Sequence, residues 1–268
     1  MREIINKQLE EYRDKDIALL FSGGLDSLSI LLSCIDVGIS PHLYTFRLED
    51  YVSEDIKSSR KIKDIFNLEY TEVIIKKDVE QLKLDVKNII KKFKVKKKTQ
   101  IQCIYPFLYM VNEIQEEIVF SGLCADELYG TSRKMQILGR TNDEEFYKKR
   151  NEMHEDIESS SYIFIKNIFN AHNKEFVAPY KDNIELVNYF LNKNFKELHS
   201  PKQKNLTYIN YKEEIDNYKL YRKNSNLQCN SNIREWHNEL LFTELNKNNW
   251  KSVVGIYNMI YNNYFKEK

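Results

Sequence analysis

Ile17-Ala18-Leu19-Leu20-Phe21-Ser22-Gly23-Gly24-Leu25-Asp26-Ser27 is the stretch on which the fold turns. From Ile17 to Phe21 the run is continuously apolar, which marks a strand buried on both faces, as in a parallel sheet covered by helices. Leu28, Leu31, Leu32 and Ile35 then recur at helical spacing, so the segment predicts a strand, a tight loop and a helix. In the loop, Gly23 and Gly24 permit conformations and close approaches denied to residues with a Cβ. The following helix aims its free amides and positive dipole end back at the loop, so a phosphate or pyrophosphate suits that position. The hexapeptide Ser22 to Ser27 lacks the Gly-Lys-Ser/Thr ending of a Walker A loop and the spacing of a dinucleotide-binding G-x-G-x-x-G. For a glycine pair alone, the competing reading is a tight turn whose serines merely cap the helix.

Outward from this unit the pattern repeats. A strand is predicted around Leu43 to Leu48, a helix from about Ser53 to Phe66, a strand around Thr71 to Ile75 and, after helical stretches, a strand from Ile118 to Ser121. Such alternation predicts a parallel, doubly wound α/β sheet. Ser53 followed by Glu54 and Asp55 reads as a helix start, because a side-chain oxygen caps free amides and acids favour the positive helix end. Beyond about Asp143 the strand signals fade, and Ile184 to Leu191 and Trp236 to Leu245 carry helical spacing. The expected division is an α/β phosphate-binding unit over 1–142 and a mostly helical C-terminal region over 143–268 that completes the substrate site.

A second buried strand runs into a polar loop at Ile118-Val119-Phe120-Ser121-Gly122-Leu123-Cys124-Ala125-Asp126-Glu127-Leu128-Tyr129-Gly130. Two loops at strand ends can face one crevice. The first loop resembles the S-G-G-x-D-S loop of the PP-loop ATP pyrophosphatases. The second is similar to the S-G-E-G-A-D-E-L-F-G motif of the asparagine synthetase family, including its β-lactam-forming relatives, and the order and separation of the two motifs agree. Weaker similarity continues through Ala178-Pro179-Tyr180-Lys181-Asp182, which resembles the family's P-F-L-D stretch, to Tyr221-Arg222-Lys223-Asn224, which resembles its R-x-K loop.

The resemblance implies a Rossmann-like sheet of the adenine nucleotide alpha-hydrolase kind and an enzyme that splits ATP into AMP and pyrophosphate. It implies that Ser22, Gly23, Gly24, Asp26, Ser27, Phe46, Ser121 and Gly122 lie along the nucleotide. By the same similarity Asp26 and Asp126 hold Mg²⁺ against the pyrophosphate, as a hard cation takes carboxylate oxygen. Lys223 is the carried-over cation that meets phosphate or a developing oxyanion, with a solvated surface lysine as the alternative.

The chain also departs from that family. Arg2 follows Met1 where glutamine-dependent members begin with a cysteine nucleophile, so no glutaminase domain is expected within these residues. Nitrogen from glutamine would need a separate amidotransferase. Leu123 stands where asparagine synthetases have a glutamate able to accept a proton, which puts asparagine in doubt as the product. Cys124 replaces a glycine of the motif, and Cys103 lies upstream in Gln102-Cys103-Ile104-Tyr105-Pro106. Other PP-loop enzymes resembling this chain in the first motif transfer sulfur through a cysteine persulfide to an adenylated carbonyl. Cys103 and Cys124 are therefore candidate catalytic thiols, with a sulfur-donor protein as partner. Taken alone, each reads first as a small buried hydrophobe.

Composition narrows the remaining classes. Lys+Arg at 41 and Asp+Glu at 40 give a net charge of +1, so no global field announces nucleic acid or an anionic membrane. The run Lys91-Lys92-Phe93-Lys94-Val95-Lys96-Lys97-Lys98 would suit RNA phosphate such as that of tRNA, but reads first as a solvated helix end and loop. Cys34, Cys103, Cys124 and Cys229 form no C-x-x-C pair and suggest neither a disulfide framework nor a zinc ribbon. With a charged amphipathic N-terminus and no membrane-length apolar run, a cytoplasmic protein is expected. His154, His172 and His237 show no ligand spacing, and Trp236-His237 sits in an apolar helical pattern. The expected chemistry is adenylation of a small-molecule acceptor, followed by displacement of AMP by nitrogen or by sulfur. A nucleotide-binding subunit without turnover is the non-enzymatic alternative.

Overall fold

The computed structural model describes residues 1–158, 161–222, 226–249 and 252–265. Five parallel strands form one sheet in the order β3-β2-β1-β4-β5. They are β1 Ile17–Leu20, β2 His42–Leu48, β3 Tyr70–Ile75, β4 Ile118–Ser121 and β5 Glu175–Val177. All residues of β1 and β4 are buried, as their uninterrupted apolar runs require of central strands covered on both faces. The helix expected from Ser53 spans Glu54–Phe66, and the Ser53 hydroxyl accepts the Ile56 amide at 3.3 Å.

One strand was not legible. β5 is three residues long and pairs with β4 through Val119↔Phe176, beyond the point at which the strand signals fade. A three-residue strand with one exposed member is too short to show a period of two. The stretch expected as one helix from Trp236 to Leu245 is instead a short helix Ile233–Trp236 followed by two 3₁₀ segments, His237–Phe242 and Glu244–Asn246. Ile184–Leu191 is a helix with the expected bounds.

Helix Leu25–Asp36 lies between the sheet and the C-terminal region, so it is buried nearly all round, and only Ile35 of its expected apolar set emerges at the surface. Ser29 and Ser33, one turn apart and hence on one face, meet the buried hydroxyls of Tyr180 and Tyr211 at 2.6 Å each. Arg2 joins the N-terminal helix Arg2–Glu10 to Asp36 and Glu214 at 2.6 Å each. These contacts fix the C-terminal region against the helix that follows the glycine loop.

The lysine run behaves as a helix end and loop. Helix Val79–Phe93 stops at Lys94, which takes left-handed backbone, and Val95 is buried while Lys91, Lys92, Lys94, Lys96 and Lys97 stay exposed. Among the described residues no helix is long and apolar enough to cross a membrane.

His237 is wholly buried, with Nδ1 hydrogen-bonded to the Tyr257 hydroxyl and its ring edge-on to Tyr105. Burial, with a smaller effect of Lys98, lowers its pKa from 6.5 to about 3. The unfolded chain therefore binds a proton that the fold refuses. Stability from this group is present above about pH 6.5 and is lost as pH falls from there toward 3. Urea unfolding of the native protein is expected to lose about 3 kcal/mol more between pH 6.5 and pH 4 than that of His237→Gln. Parallel pH profiles would remove His237 from the account.

Candidate active site

β1 and β4 are neighbours, with Leu20 opposite Ser121, yet β1 is followed in sequence by β2 on its other side. Strand order therefore reverses between β1 and β4, and a crevice opens at the carboxyl ends of these two strands, where ligands bind in doubly wound sheets. Both sequence motifs begin there, because each is the loop that leaves one of the two strands. Their contact is close. A Cβ on Gly122 would lie 2.8 Å from the Asp26 carbonyl carbon and 2.8 Å from the Ser27 amide nitrogen. Only glycine lets the second loop rest on the backbone of the first.

The first loop is closed on itself by its serines. The Gly24 amide donates to Ser22 Oγ at 3.3 Å, and Ser27 Oγ donates to the Gly24 carbonyl at 3.2 Å. Gly23 adopts φ +66°, a conformation that L side chains rarely take, and lies against Ser58. Helix Leu25–Asp36 starts at Gly24 with no side chain capping it, which leaves first-turn amides and the positive dipole end for an anion.

Lys204 is the residue that sequence reasoning missed. It begins helix Asn205–Asn210 in left-handed backbone at φ +57°, and is 2% exposed. Its ammonium is paired with Asp26 and lies 2.7 Å from Asp126 Oδ1. Asp126 Oδ1 also accepts from Thr131 Oγ1 at 2.8 Å. Burial opposes the Lys204 charge, yet Asp126 and Asp26 outweigh it and hold its pKa above the ordinary lysine value. Burial pushes the Asp26 carboxyl up to about 6, with Lys204 opposing that rise and Asp126 adding to it. The two acids thus hold the buried Lys204 in its charged form.

Arg222 was also passed over. Its guanidinium donates to the Ser22 carbonyl at 3.2 Å and pairs with Asp55, which ties the C-terminal region to the glycine loop and to helix Glu54–Phe66. Lys223, the cation expected in the segment Tyr221 to Asn224, lies outside the described residues. Lys204 carried no local signal, since its partners are 178 residues away for Asp26 and are set only by packing.

These elements enclose a cavity of about 340 Å³. Of the residues expected at the site, Ser22, Gly24, Asp26, Ser27, Phe46, Cys103, Ser121, Gly122, Cys124 and Asp126 all line it, whereas Gly23 supports the loop from behind. Phe46 is on β2 beside Tyr44 and Thr45, flanking the glycine loop. Leu123 also lines the wall.

The two thiols in the wall are neutral at physiological pH. Burial pushes Cys103 up to about 11, and its S–H faces the Gln228 side-chain oxygen at 3.7 Å. Burial, reinforced by Glu127, raises Cys124 well above the ordinary thiol value. Cys124 takes φ +71°, the conformation for which glycine is the least strained residue. Cys124→Gly is therefore expected to stay within about 1 kcal/mol of native stability and to keep its turnover. Thermal melts and product assays check this, and loss of turnover in a folded variant would assign the thiol a chemical role.

The donor set suits a divalent hard cation. Asp26 lines the cavity, and its Oδ1 is buried with no hydrogen-bond partner among the described residues. Mg²⁺ typically takes one or two protein carboxylates and completes its shell with substrate phosphates and water. No cluster of three or more His, Cys, Asp or Glu able to hold a metal occurs among the described residues. Asp26 and Asp126 are the two carboxylates that meet there, both paired with Lys204.

Comparison with known proteins follows from this geometry. The family model described as asparagine synthase matches residues 1–246. Among solved structures, the chain is similar to one titled as a predicted subunit of tRNA methyltransferase from Methanocaldococcus jannaschii. The two are 14% identical, the match covers 78% of this chain and 93% of that chain, and the TM-score is 0.37. A search of the curated proteins finds no match.

Proposed function

The chain belongs to the asparagine synthase family, an ATP-using family, and from that premise we propose that it activates an acceptor carboxylate or carbonyl oxygen with ATP and replaces the activating group with nitrogen. The carrying observation is the buried Lys204 clasped between Asp26 and Asp126, where the loops after β1 and β4 meet.

In this reading the acceptor oxygen attacks the α-phosphorus of ATP, the bond from α-phosphorus to the bridging oxygen breaks, and pyrophosphate leaves. The first-turn amides of helix Leu25–Asp36 bind the phosphates, assisted by the glycine loop. Lys204 stands behind the cavity wall and fixes the Asp26 and Asp126 carboxylates, which therefore need no reorganisation as charge develops. Arg222 holds the loop in shape through the Ser22 carbonyl. Mg²⁺ held by Asp26 and Asp126 would neutralise phosphate charge and orient the leaving group. Phe46 offers an apolar surface beside the glycine loop for the nucleotide.

Ammonia or an amine, free or delivered by a separate amidotransferase, then attacks the activated carbon, and AMP departs with the electrons of the carbon–oxygen bond. Sulfur transfer is the second reading, because Cys103 and Cys124 both line the cavity. A thiolate is the reactive form, and burial holds both thiols protonated, which favours nitrogen.

The test is to incubate the protein with Mg-ATP and a panel of acceptors and to identify the nucleotide product chromatographically. Acceptor-dependent AMP and pyrophosphate are expected. Acceptor-dependent ADP would refute the reading.

A further inference from the structure

We propose that the acceptor bound in this cavity is a compact molecule whose non-reacting part is apolar and uncharged. The inference rests on the activation chemistry above and adds the class of substrate.

Two chemically distinct sets of residues line the cavity. Arg222 and Asp55 meet at the glycine loop, where Asp26 and Asp126 also stand. The second set is an apolar wall of Cys103, Phe107, Met110, Leu123, Ile165 and Leu227, built where helix Phe107–Glu113 packs on helix Tyr162–Asn170 and helix Lys98–Ile104 on helix Leu227–Asn230. Phe107, Met110 and Ile165 are buried, so this wall belongs to the core and cannot swing out to admit water. They come from three separate places: the helices Lys98–Ile104 and Phe107–Glu113, the loop after β4, and the C-terminal region through Ile165 and Leu227.

Among the described residues, charge is what this wall lacks. Among the described residues lining the cavity, Arg222 is the one cation, and its guanidinium is engaged by Asp55 and the Ser22 carbonyl. The other two lining carboxylates, Asp26 and Asp126, are paired with Lys204. A second carboxylate or an ammonium on the acceptor would lose its hydration against Met110 and Ile165 with no unengaged opposite charge among the described lining residues to offset the loss. An aliphatic or aromatic group loses nothing there and gains the burial of its surface. The polar lining groups that adjoin this wall are neutral: Asn226 precedes Leu227, Gln228 meets Cys103, and Ser231 Oγ already donates to the Leu227 carbonyl at 2.7 Å. They can orient an uncharged carbonyl or amide but cannot neutralise an ion. An α-amino dicarboxylate such as aspartate is the wrong chemistry for this wall.

Ligand-observed NMR on the full chain, with Mg²⁺ and a non-hydrolysable ATP analogue present, tests the inference. Phenylacetate and hexanoate serve as apolar monocarboxylates, and succinate and L-aspartate as doubly charged and zwitterionic counterparts of similar size. The apolar acids are expected to bind at least tenfold more tightly. Leu227→Arg, at the partly exposed rim, should weaken phenylacetate at least tenfold and improve succinate, while undiminished binding of the ATP analogue shows that the variant is folded. Equal or tighter binding of succinate or L-aspartate by the native protein overturns the proposal. So does failure of both apolar acids to bind a protein that still binds the nucleotide. Should the apolar acids bind selectively but ADP be the nucleotide product, the activation chemistry fails while the character of the pocket stands.

Discussion

Replacing Lys204 with methionine is expected to reduce acceptor-dependent pyrophosphate release by about 10²-fold, the usual cost of letting the groups it positions shift by roughly an ångström. The side chain is 2% exposed and pairs with both Asp26 and Asp126, so its removal also leaves two carboxylates facing each other without a buried cation. Breaking a buried pair from one side costs about 3–5 kcal/mol, and urea unfolding should register a loss of that order. Mg²⁺ discriminates this account from simple damage to the core. Once the ammonium is gone, a divalent cation becomes the natural partner of the two acids, so Mg²⁺ should raise the melting temperature of Lys204→Met more than that of the native protein. Native turnover in Lys204→Met would sink the assignment, and a melting temperature indifferent to Mg²⁺ would sink the view of Asp26 and Asp126 as a cation site.

The second large effect is expected at Gly122. A Cβ there meets the Asp26 carbonyl carbon and the Ser27 amide nitrogen at 2.8 Å. Both are main-chain atoms of the loop that opens helix Leu25–Asp36, so neither can rotate away as a side chain would. Gly122→Ala must therefore separate the two loops, and with them Asp26 from Asp126. Misplacement by roughly an ångström costs on the order of 10²-fold in rate, so kcat/KM for pyrophosphate release should fall by about that factor. Overpacking is worth about 1–3 kcal/mol of stability. A variant that stays folded, binds Mg-ATP as before and turns over normally would show that the loops do not act as one unit. The converse substitution at Cys124, where glycine relieves positive φ, should be benign, so the neighbouring positions 122 and 124 are expected to behave in opposite ways.

The sheet and its phosphate end were legible because they are written locally. An apolar run of four or five residues can be buried on both faces only as a central strand, and β1 and β4 follow those runs. Ser22 to Ser27 announces its turn through glycines and its helix through the spacing of Leu28, Leu31 and Leu32. Placement of both motifs at the strand ends follows from the same reading. Two local signals misled: β5 is too short to carry a period, and the residues from Trp236 onward spread their helical spacing over a helix and two 3₁₀ segments. Ile35 fits the apolar face of its helix and is nonetheless exposed, since burial at a helix end depends on what packs over it.

By itself the sequence determined the strand-loop-helix unit, its repetition as a parallel sheet, and the two glycine-bearing loops, all of which depend on residues adjacent in the chain. Tertiary structure alone decided that Lys204 closes the gap between Asp26 and Asp126, that Arg222 braces the Ser22 carbonyl, and that Cys103, Phe107, Met110, Ile165 and Leu227 come to line one cavity. Those contacts join residues 178 and 200 positions apart. An ordinary lysine in a polar stretch gives no local sign of its partners, because what makes it special is the pair of like charges that packing brings to it.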